Sequence, residues 1–460
     1  MKNLMRLGFV LFTSAIFAQS GHIMQGVGSV NLSMGGAATA QPLDITGALQ
    51  WNPAAISVFD SKIINFDIGA FSSSPELSSS LPAGAMWPAD AFGPGSPASP
   101  AVSGITKDDR QISPMPALAF LYGKQNSKHT FGFSAFGISG FGVTFPEETN
   151  LPMDANGNPN PNWDPNNSNP VNYPQSLGGF GHIESDYMLF QIGLAWAYEI
   201  TNELSIGIQP NLNYAALELA PNPTANPNAS GYPVSDNASA IGYGAQFGVF
   251  YNSPVGLKLG ASYKTPQKFE DLEFTNTHLD NSTSTNTFNM DYPSILSFGL
   301  GYSKGDFDLA LDYRFVDYEN TNGFEEKGWT QTGSVQGFGW KNINIISAGL
   351  QYKGIKKLPL RVGYTYSSNP IDNELAFFSI PATAVTKNAF QFGLSYPFND
   401  NFKLNGVYHY ATSGDKTEGE ILNPQNIQNN PPYGAITGSK VSYEMSTSMF
   451  MIGVTYNFTE

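Results

Sequence analysis

Apolar and polar residues alternate with a period of two through segments of about ten residues, from Ser61 almost to the C-terminus. A period of two places the two sets on opposite faces of a β-strand. SKIINFDIGAF (61–71) sets Ile64, Phe66, Ile68 and Ala70 against Asn65, Asp67 and Gly69. The same reading applies to SDYMLFQIGLAWAYEI (185–200), ELSIGIQPNLNY (203–214), AIGYGAQFGVFY (240–251) and VGLKLGASYK (255–264). It continues in DFDLALDYRF (306–315), AFQFGLSYPF (389–398) and FMIGVTYNF (450–458). Weaker alternation marks 116–123, 130–143, 294–303, 343–352, 358–366 and 401–410, which brings the expected strands to fourteen.

The links between these strands alternate strictly. Short ones, such as Thr201-Asn202, Asn252-Ser253-Pro254 and Lys304-Gly305, take turns with long ones at 72–115, 144–184, 215–239, 265–293, 316–342, 367–388 and 411–449. An up-and-down barrel with one tight rim and one elaborated rim requires this alternation. Transmembrane barrels have short periplasmic turns, long outer loops and an even strand count. Closure also removes the exposed edges that a large open sheet would leave. A soluble β-sandwich alternates too, but its outward face is normally polar. Here one face is aromatic-rich along the whole strand, and the other carries Ser, Asn, Gln, Gly and a few charges. The expected fold class is therefore all-β: an antiparallel transmembrane β-barrel of about fourteen strands.

Composition agrees. Aromatic and charged residues each make up 13% of the 460 residues, whereas an ordinary domain is about 25% charged. There is no Cys, so disulfide scaffolds and thiolate metal sites are excluded. A formal net charge of −15 argues against nucleic acid as a partner, which calls for clustered Lys and Arg. MKNLMRLGFVLFTSAIFA (1–18) has Lys2 and Arg6 ahead of an apolar run and ends at small residues. That layout is a secretory signal peptide, and its apolar run is too short for an anchor.

Residues 19–60 do not alternate. This small-residue-rich, moderately apolar stretch suits short helical turns, for example Ile45 to Gln50 stopped by Pro53. It begins on the tight rim, so a compact piece there is placed to close the barrel from inside. The expected layout is a signal peptide at 1–18, an N-terminal hatch at 19–60 and a barrel at 61–460.

GVGSVNLSMGGAATAQPLDITGALQWNPAAI resembles the hatch of the FadL-type outer-membrane transporters of long-chain fatty acids and aromatic hydrocarbons, and Asn52-Pro53-Ala54 matches that family's Asn-Pro-Ala motif. The segments 263–274, 309–318, 360–371 and 379–399 resemble family segments in the same order. The resemblance implies a monomer in the outer membrane of a Gram-negative bacterium, delivered by the barrel assembly machinery and surrounded by outer-membrane lipid. It implies passive uptake of a hydrophobic small molecule, with hatch movement and lateral release at a kink in the third strand. That strand holds Gly132, Gly137, Gly140 and Gly142. Glycine there marks either a wall defect or close packing against the hatch. One departure is plain: 215–239 and 265–293, where the family has helical capture elements, are rich in Pro, Asn, Ser and Thr.

Catalytic chemistry has no foothold. His22, His129, His182, His278 and His409 are scattered, no nucleophile elbow or phosphate loop is present, and no cofactor is expected. Asp154, Asn156, Asn158 and Asp164 have oxygen ligands but not the spacing of an EF-hand, and read as a solvated loop. A fatty-acid carboxylate in a low-dielectric lumen needs a cation. Arg314, in mid-strand, is the best placed by inward parity, followed by Arg361, Lys258 and Lys264, with lumenal pairing to Asp308, Asp312 or other carboxylates as the competing role. Met34, Leu43, Leu49, Trp51 and Ile56 are the hatch residues suited to an apolar wall. A porin for polar solutes and an adhesin displaying its loops are the alternatives; the apolar N-terminal segment argues against the porin.

Overall fold

The computed structural model describes residues 19–123, 125–154, 157–383 and 385–458. Residues 1–18, where a signal peptide is expected, Asn156 and the last two residues lie outside them. Among the described residues, fourteen antiparallel strands close into a barrel. They are β1 Lys62–Leu81, β2 Ser113–Tyr122, β3 His129–Phe145, β4 Ile183–Glu199, β5 Leu204–Ala220, β6 Ala238–Asn252 and β7 Leu257–Lys264. The circuit continues with β8 Ser294–Lys304, β9 Phe307–Asp317, β10 Ile343–Tyr352, β11 Leu360–Ser367, β12 Asn388–Pro397, β13 Phe402–Thr412 and β14 Lys440–Phe458. Each strand pairs with the next, and β14 closes on β1 from Lys440 opposite Ser80 to Phe458 opposite Lys62.

The pleat sorts the residues as the alternation requires. Phe66, Ile68, Leu194, Leu311, Phe392 and Phe450 are exposed on the outer face, while Asn65, Asp67, Gln191, Asp312 and Gln391 are buried. An apolar belt of this size is stable only against lipid. β1 and β14 run ten residues or so beyond their expected outer ends. There they carry SSSPELSSS and KVSYEMSTS, with no lipid-facing row. Above the membrane neither face needs to be apolar, so the period-two signal vanishes although the ladder continues.

The N-terminal segment lies inside the barrel, with nearly every residue from Gly21 to Ile56 buried. It forms helix α1 (Ser29–Ser33), helix α2 (Ile45–Trp51) and a 3₁₀ turn (Pro53–Val58). The Asp44 carboxylate caps α2 by accepting from Gly47 N at 3.1 Å. Asn52 ends α2 and opens the 3₁₀ turn, its Oδ1 accepting from Ala54 N at 3.1 Å. Inward-facing glycines let this backbone rest directly on the wall. A Cβ on Gly260 would stand 2.1 Å from Thr39 O, and one on Gly363 would stand 2.2 Å from Gly35 N.

The outer loops contain no α-helix in 215–239 or 265–293. They form instead a small three-stranded sheet of residues 234–235, 272–277 and 283–288. A 3₁₀ stretch, Asn373–Ala382, folds inward over the lumen.

Candidate functional site

Buried polar contacts tie the N-terminal segment to the wall. Asp67 of β1 accepts from Ser29 N at 2.9 Å and Ser29 Oγ at 2.5 Å. Asp312 of β9 accepts from Ala38 N at 3.0 Å, Thr39 N at 2.9 Å and Thr39 Oγ1 at 2.7 Å. Arg314 pairs with this carboxylate at 2.6 Å, donates to Gly36 O at 2.6 Å and lies 3.7 Å over the Trp51 ring. An unpaired charge in this interior is costly, so the pair and its bonds stand or fall together. Asn52 Nδ2 donates to Thr39 O at 2.8 Å and to Val249 O of β6 at 3.1 Å.

The other sequence-derived candidates also serve this packing. Leu49 and Ile56 press on the Cα of Gly132 in β3, and Met34 packs on Gly349 of β10. Leu43 is part-buried beside Met34 and Ala310. Pro53 and Ala54 lean on Gly207 of β5. Lys258 donates to Gln41 Oε1 at 3.1 Å and Ser303 Oγ at 3.0 Å, and Arg361 to Gln351 Oε1 at 2.8 Å and Ser395 Oγ at 2.5 Å. Both stand near the tight rim, below the segment. Lys264 stands above it, at the outer end of β7. It is buried, bonded to Gln191 Oε1 at 3.2 Å, and has no carboxylate within ion-pair distance among the described residues.

An outer groove of about 910 Å³ runs between the loops and is floored by Phe180, Pro221, Trp329 and Phe377. The same four residues roof an apolar pocket of only about 30 Å³, completed by Ile183, Val335, Phe378, Ile380 and Pro381. Ligand pockets hold roughly 300–1,000 Å³. The groove has the volume of a ligand pocket, and the neck beneath it is closed. Below the neck, aromatic rings continue through Phe338 and Phe141 to a box around His22. Centroids of Phe324, Tyr318, Tyr292, Trp340 and Tyr187 lie 4.7, 5.4, 5.6, 6.0 and 6.1 Å from the imidazole. Burial pushes His22 down to about 3, which keeps the ring neutral. Sequence reading treated His22 as one of five scattered histidines, because its partners are 165 to 318 residues away along the chain and no local spacing marks them.

Beside this box the barrel wall is broken. β2 pairs with β3 only through Ala117–Tyr122 against Phe131–Phe136, whereas β4 follows β3 up to Phe145. Ile138 is an extra residue between Gly137 and Ser139, where the register against β4 shifts. The edge of β3 that β2 leaves unpaired is met by the N-terminal segment. Ile23 bridges Ser139, and His22 O accepts from Ser139 Oγ at 2.6 Å and Gly140 N at 3.3 Å. Gly142 has Arg110 against its Cα, and that guanidinium pairs with Asp186 at 3.1 Å. Gly132 lies against Leu49 and Ile56 of the segment, and Gly137 flanks the register shift. The sequence carried a second signal in Pro114 and Pro116 of β2. Proline brings no N–H and is confined to sheet edges, and this stretch of β2 has no β3 partner. Asp154 Oδ1 accepts from Asn158 N at 2.8 Å, and among the described residues no group of three or more carboxylate or imidazole side chains is placed to hold a metal.

Comparison with known proteins agrees with this architecture. The Pseudomonas putida toluene transporter TodX superposes with a TM-score of 0.62 at 17% identity, covering 95% of this chain and 99% of that one. A Pseudomonas aeruginosa FadL homologue gives 0.67 at 13% identity, covering 96% and 100%. The Ralstonia pickettii toluene transporter TbuX gives 0.61 at 16%, covering 95% and 99%. At these identities the likeness is one of fold. No curated protein sequence matches. Residues 172–459, more than half of the chain, match the family described as outer membrane protein transport protein (OMPP1/FadL/TodX), and the chain belongs to that family of outer-membrane transporters for hydrophobic compounds.

Proposed function

We propose that this protein passes small hydrophobic molecules inward without an energy source, using the N-terminal segment as a movable hatch and the break in β3 as a lateral exit. Family membership makes it a transporter rather than an enzyme. The observation that carries the mechanism is the wall itself. At Ser139 and Gly140 the β3 edge is bonded to the segment and not to β2. A ligand caught in the outer groove enters when the aromatic neck opens, displaces the segment, and leaves through the gap into the membrane interface. An apolar solute gains by this route because it never crosses bulk water. Long-chain fatty acids and aromatic hydrocarbons are the proposed cargo classes, with Lys264 the cation best placed for a carboxylate. Residues 1–18 act as the signal peptide, 19–60 as the hatch and 61–460 as a monomeric barrel inserted by the barrel assembly machinery.

The test uses the absence of native cysteine. Ile23→Cys with Ser139→Cys places two thiols on bridged residues. Oxidation should abolish uptake of radiolabelled toluene and oleate, and reduction should restore it. Undiminished uptake by the oxidised protein would refute lateral release.

A further inference from the structure

We propose that the barrel interior holds a site for a soft monovalent cation, Cu(I), ligated by the thioethers of Met115, Met449 and Met451 and by the imidazole of His409. The proposal does not depend on the route that the hydrophobic cargo takes. Binding involves no change of oxidation state, since the ion arrives and stays as Cu(I).

Strand register brings the four side chains together. Met115 of β2 and Met451 of β14 stand on either side of Gly69 of β1, each as its direct cross-strand partner. Met449 is the partner of Phe71, the next inward residue of β1, and His409 of β13 is the partner of Met449. Directly opposed side chains have Cβ atoms about 4.5–5.5 Å apart. All four side chains are buried. Gly69 leaves the centre of the set free of any side chain of its own. The point where a Cβ would stand is 3.1 Å from Met449 Sδ, 3.0 Å from Met451 Cε and 3.3 Å from Met115 Cβ.

The chemistry of this set selects the ion. Thioethers are soft donors that favour Cu(I), and imidazole suits copper as well. Methionine turns about three torsions, so the sulfurs can close on an ion while the strands stay in place. No carboxylate belongs to the set, whereas Ca²⁺ and Mg²⁺ call for oxygen ligands. The histidine is prepared for ligation. Its Nδ1 faces the Gln391 amide of β12 at 3.1 Å, while its Nε2 is buried with no partner, and so is Gln391 Oε1. Either end of an amide can be turned to Nδ1. With Oε1 there, Nδ1 carries the proton and donates it to the amide, and Nε2 presents its lone pair. A second-shell acceptor of this kind orients a metal-bound histidine. Leucine would fill the same space as methionine; the stranded Nε2 beside converging thioethers is what points to a ligand. Charge fits too. Asp67, one inward position from Gly69 on β1, is buried, and its side-chain partners Ser29 and Asn65 carry no charge. A monovalent ion beside Gly69 offsets that carboxylate, where a divalent ion would leave charge in excess.

The experiment titrates the purified full chain in detergent with Cu(I), buffered by bicinchoninate under anaerobic, reducing conditions. The protein should retain one equivalent, which Ag(I) displaces and Zn(II) does not. Met449→Leu and Met451→Leu keep the side-chain volume, and each should weaken retention by about tenfold or more, as should His409→Gln. Met290→Leu, in the loop at 265–293, should change nothing. X-ray absorption at the copper edge should show sulfur neighbours together with an imidazole. Failure to retain an equivalent overturns the proposal. So does equal retention by the unaltered protein and the two methionine variants, or an edge spectrum with nitrogen and oxygen ligands alone. If a variant loses the heat-resistant mobility of the folded barrel, the spectrum of the unaltered protein decides: sulfur with imidazole supports the site, and their absence overturns it.

Discussion

Asp312→Ala should loosen the N-terminal segment without opening the barrel. Its Oδ2 receives three donors from the segment and the Arg314 guanidinium from its own strand. Removing it strands Ala38 N, Thr39 N and Thr39 Oγ1, and leaves Arg314 buried with Gly36 O and Ser347 Oγ as its remaining acceptors. Three charge-assisted bonds at about 1.5–3 kcal/mol each set the ceiling. Breaking one side of a buried ion pair typically costs about 3–5 kcal/mol. The strain is relieved when the segment leaves, because Arg314 then meets water. The population of the dissociated segment should therefore rise by about two to three and a half powers of ten. The chain has no cysteine, so Ala48→Cys, on a fully buried position of α2, supplies a single reporter. Its maleimide labelling rate should rise by that factor when Asp312→Ala is added, while the barrel keeps its heat-resistant electrophoretic mobility. A rate within threefold of the parent would show that Asp312 does not hold the segment.

The remaining predictions use the same protein. Gly260→Ala puts a Cβ 2.1 Å from Thr39 O. Overpacking of about 1–3 kcal/mol should speed labelling at Ala48→Cys roughly tenfold or more, and an unchanged rate would mean that the contact yields freely. Asn52→Ala removes the bonds to Thr39 O and Val249 O and the cap on Ala54 N. Toluene uptake should fall with a heat-resistant barrel still present, and normal uptake would remove the Asn-Pro-Ala motif from the mechanism. Lys264→Met should lower oleate uptake several-fold and leave toluene uptake alone; equal effects on both would make Lys264 a structural lysine.

Much of the barrel was legible from sequence. Each expected strand matches one strand of the structure, and alternation of loop lengths gave the topology. The misses follow from the same physics. Ser72–Leu81 and Lys440–Met449 stand above the lipid, where hydrogen bonding alone sustains the strand and no apolar row is selected. The site was less legible. Arg314 was identified by parity, but parity cannot say which partner it takes; the structure gives it to Asp312 and the segment. Met34, Leu49, Trp51 and Ile56 were identified as apolar, and they face wall glycines or Arg314 rather than the outer groove. Phe180, Trp329, Phe377 and Phe378, which form the neck, lie in loops whose composition announces only turns.

Period-two hydrophobicity, by itself, determined the strands, their lipid-facing rows and the closed topology, because a strand in a bilayer has one apolar face and cannot leave an edge unpaired. The small-residue run before Ser61 determined that something compact precedes the barrel. Tertiary structure alone decided what that segment does to the wall. It brought His22 beside rings from β4 and the outer loops, set Ser29 and Thr39 on Asp67 and Asp312, and laid Ile23 along the edge that Pro114 and Pro116 leave open. These are contacts across many tens to hundreds of residues, fixed by shape and by the cost of stranded polar groups, and no local pattern in the chain encodes them.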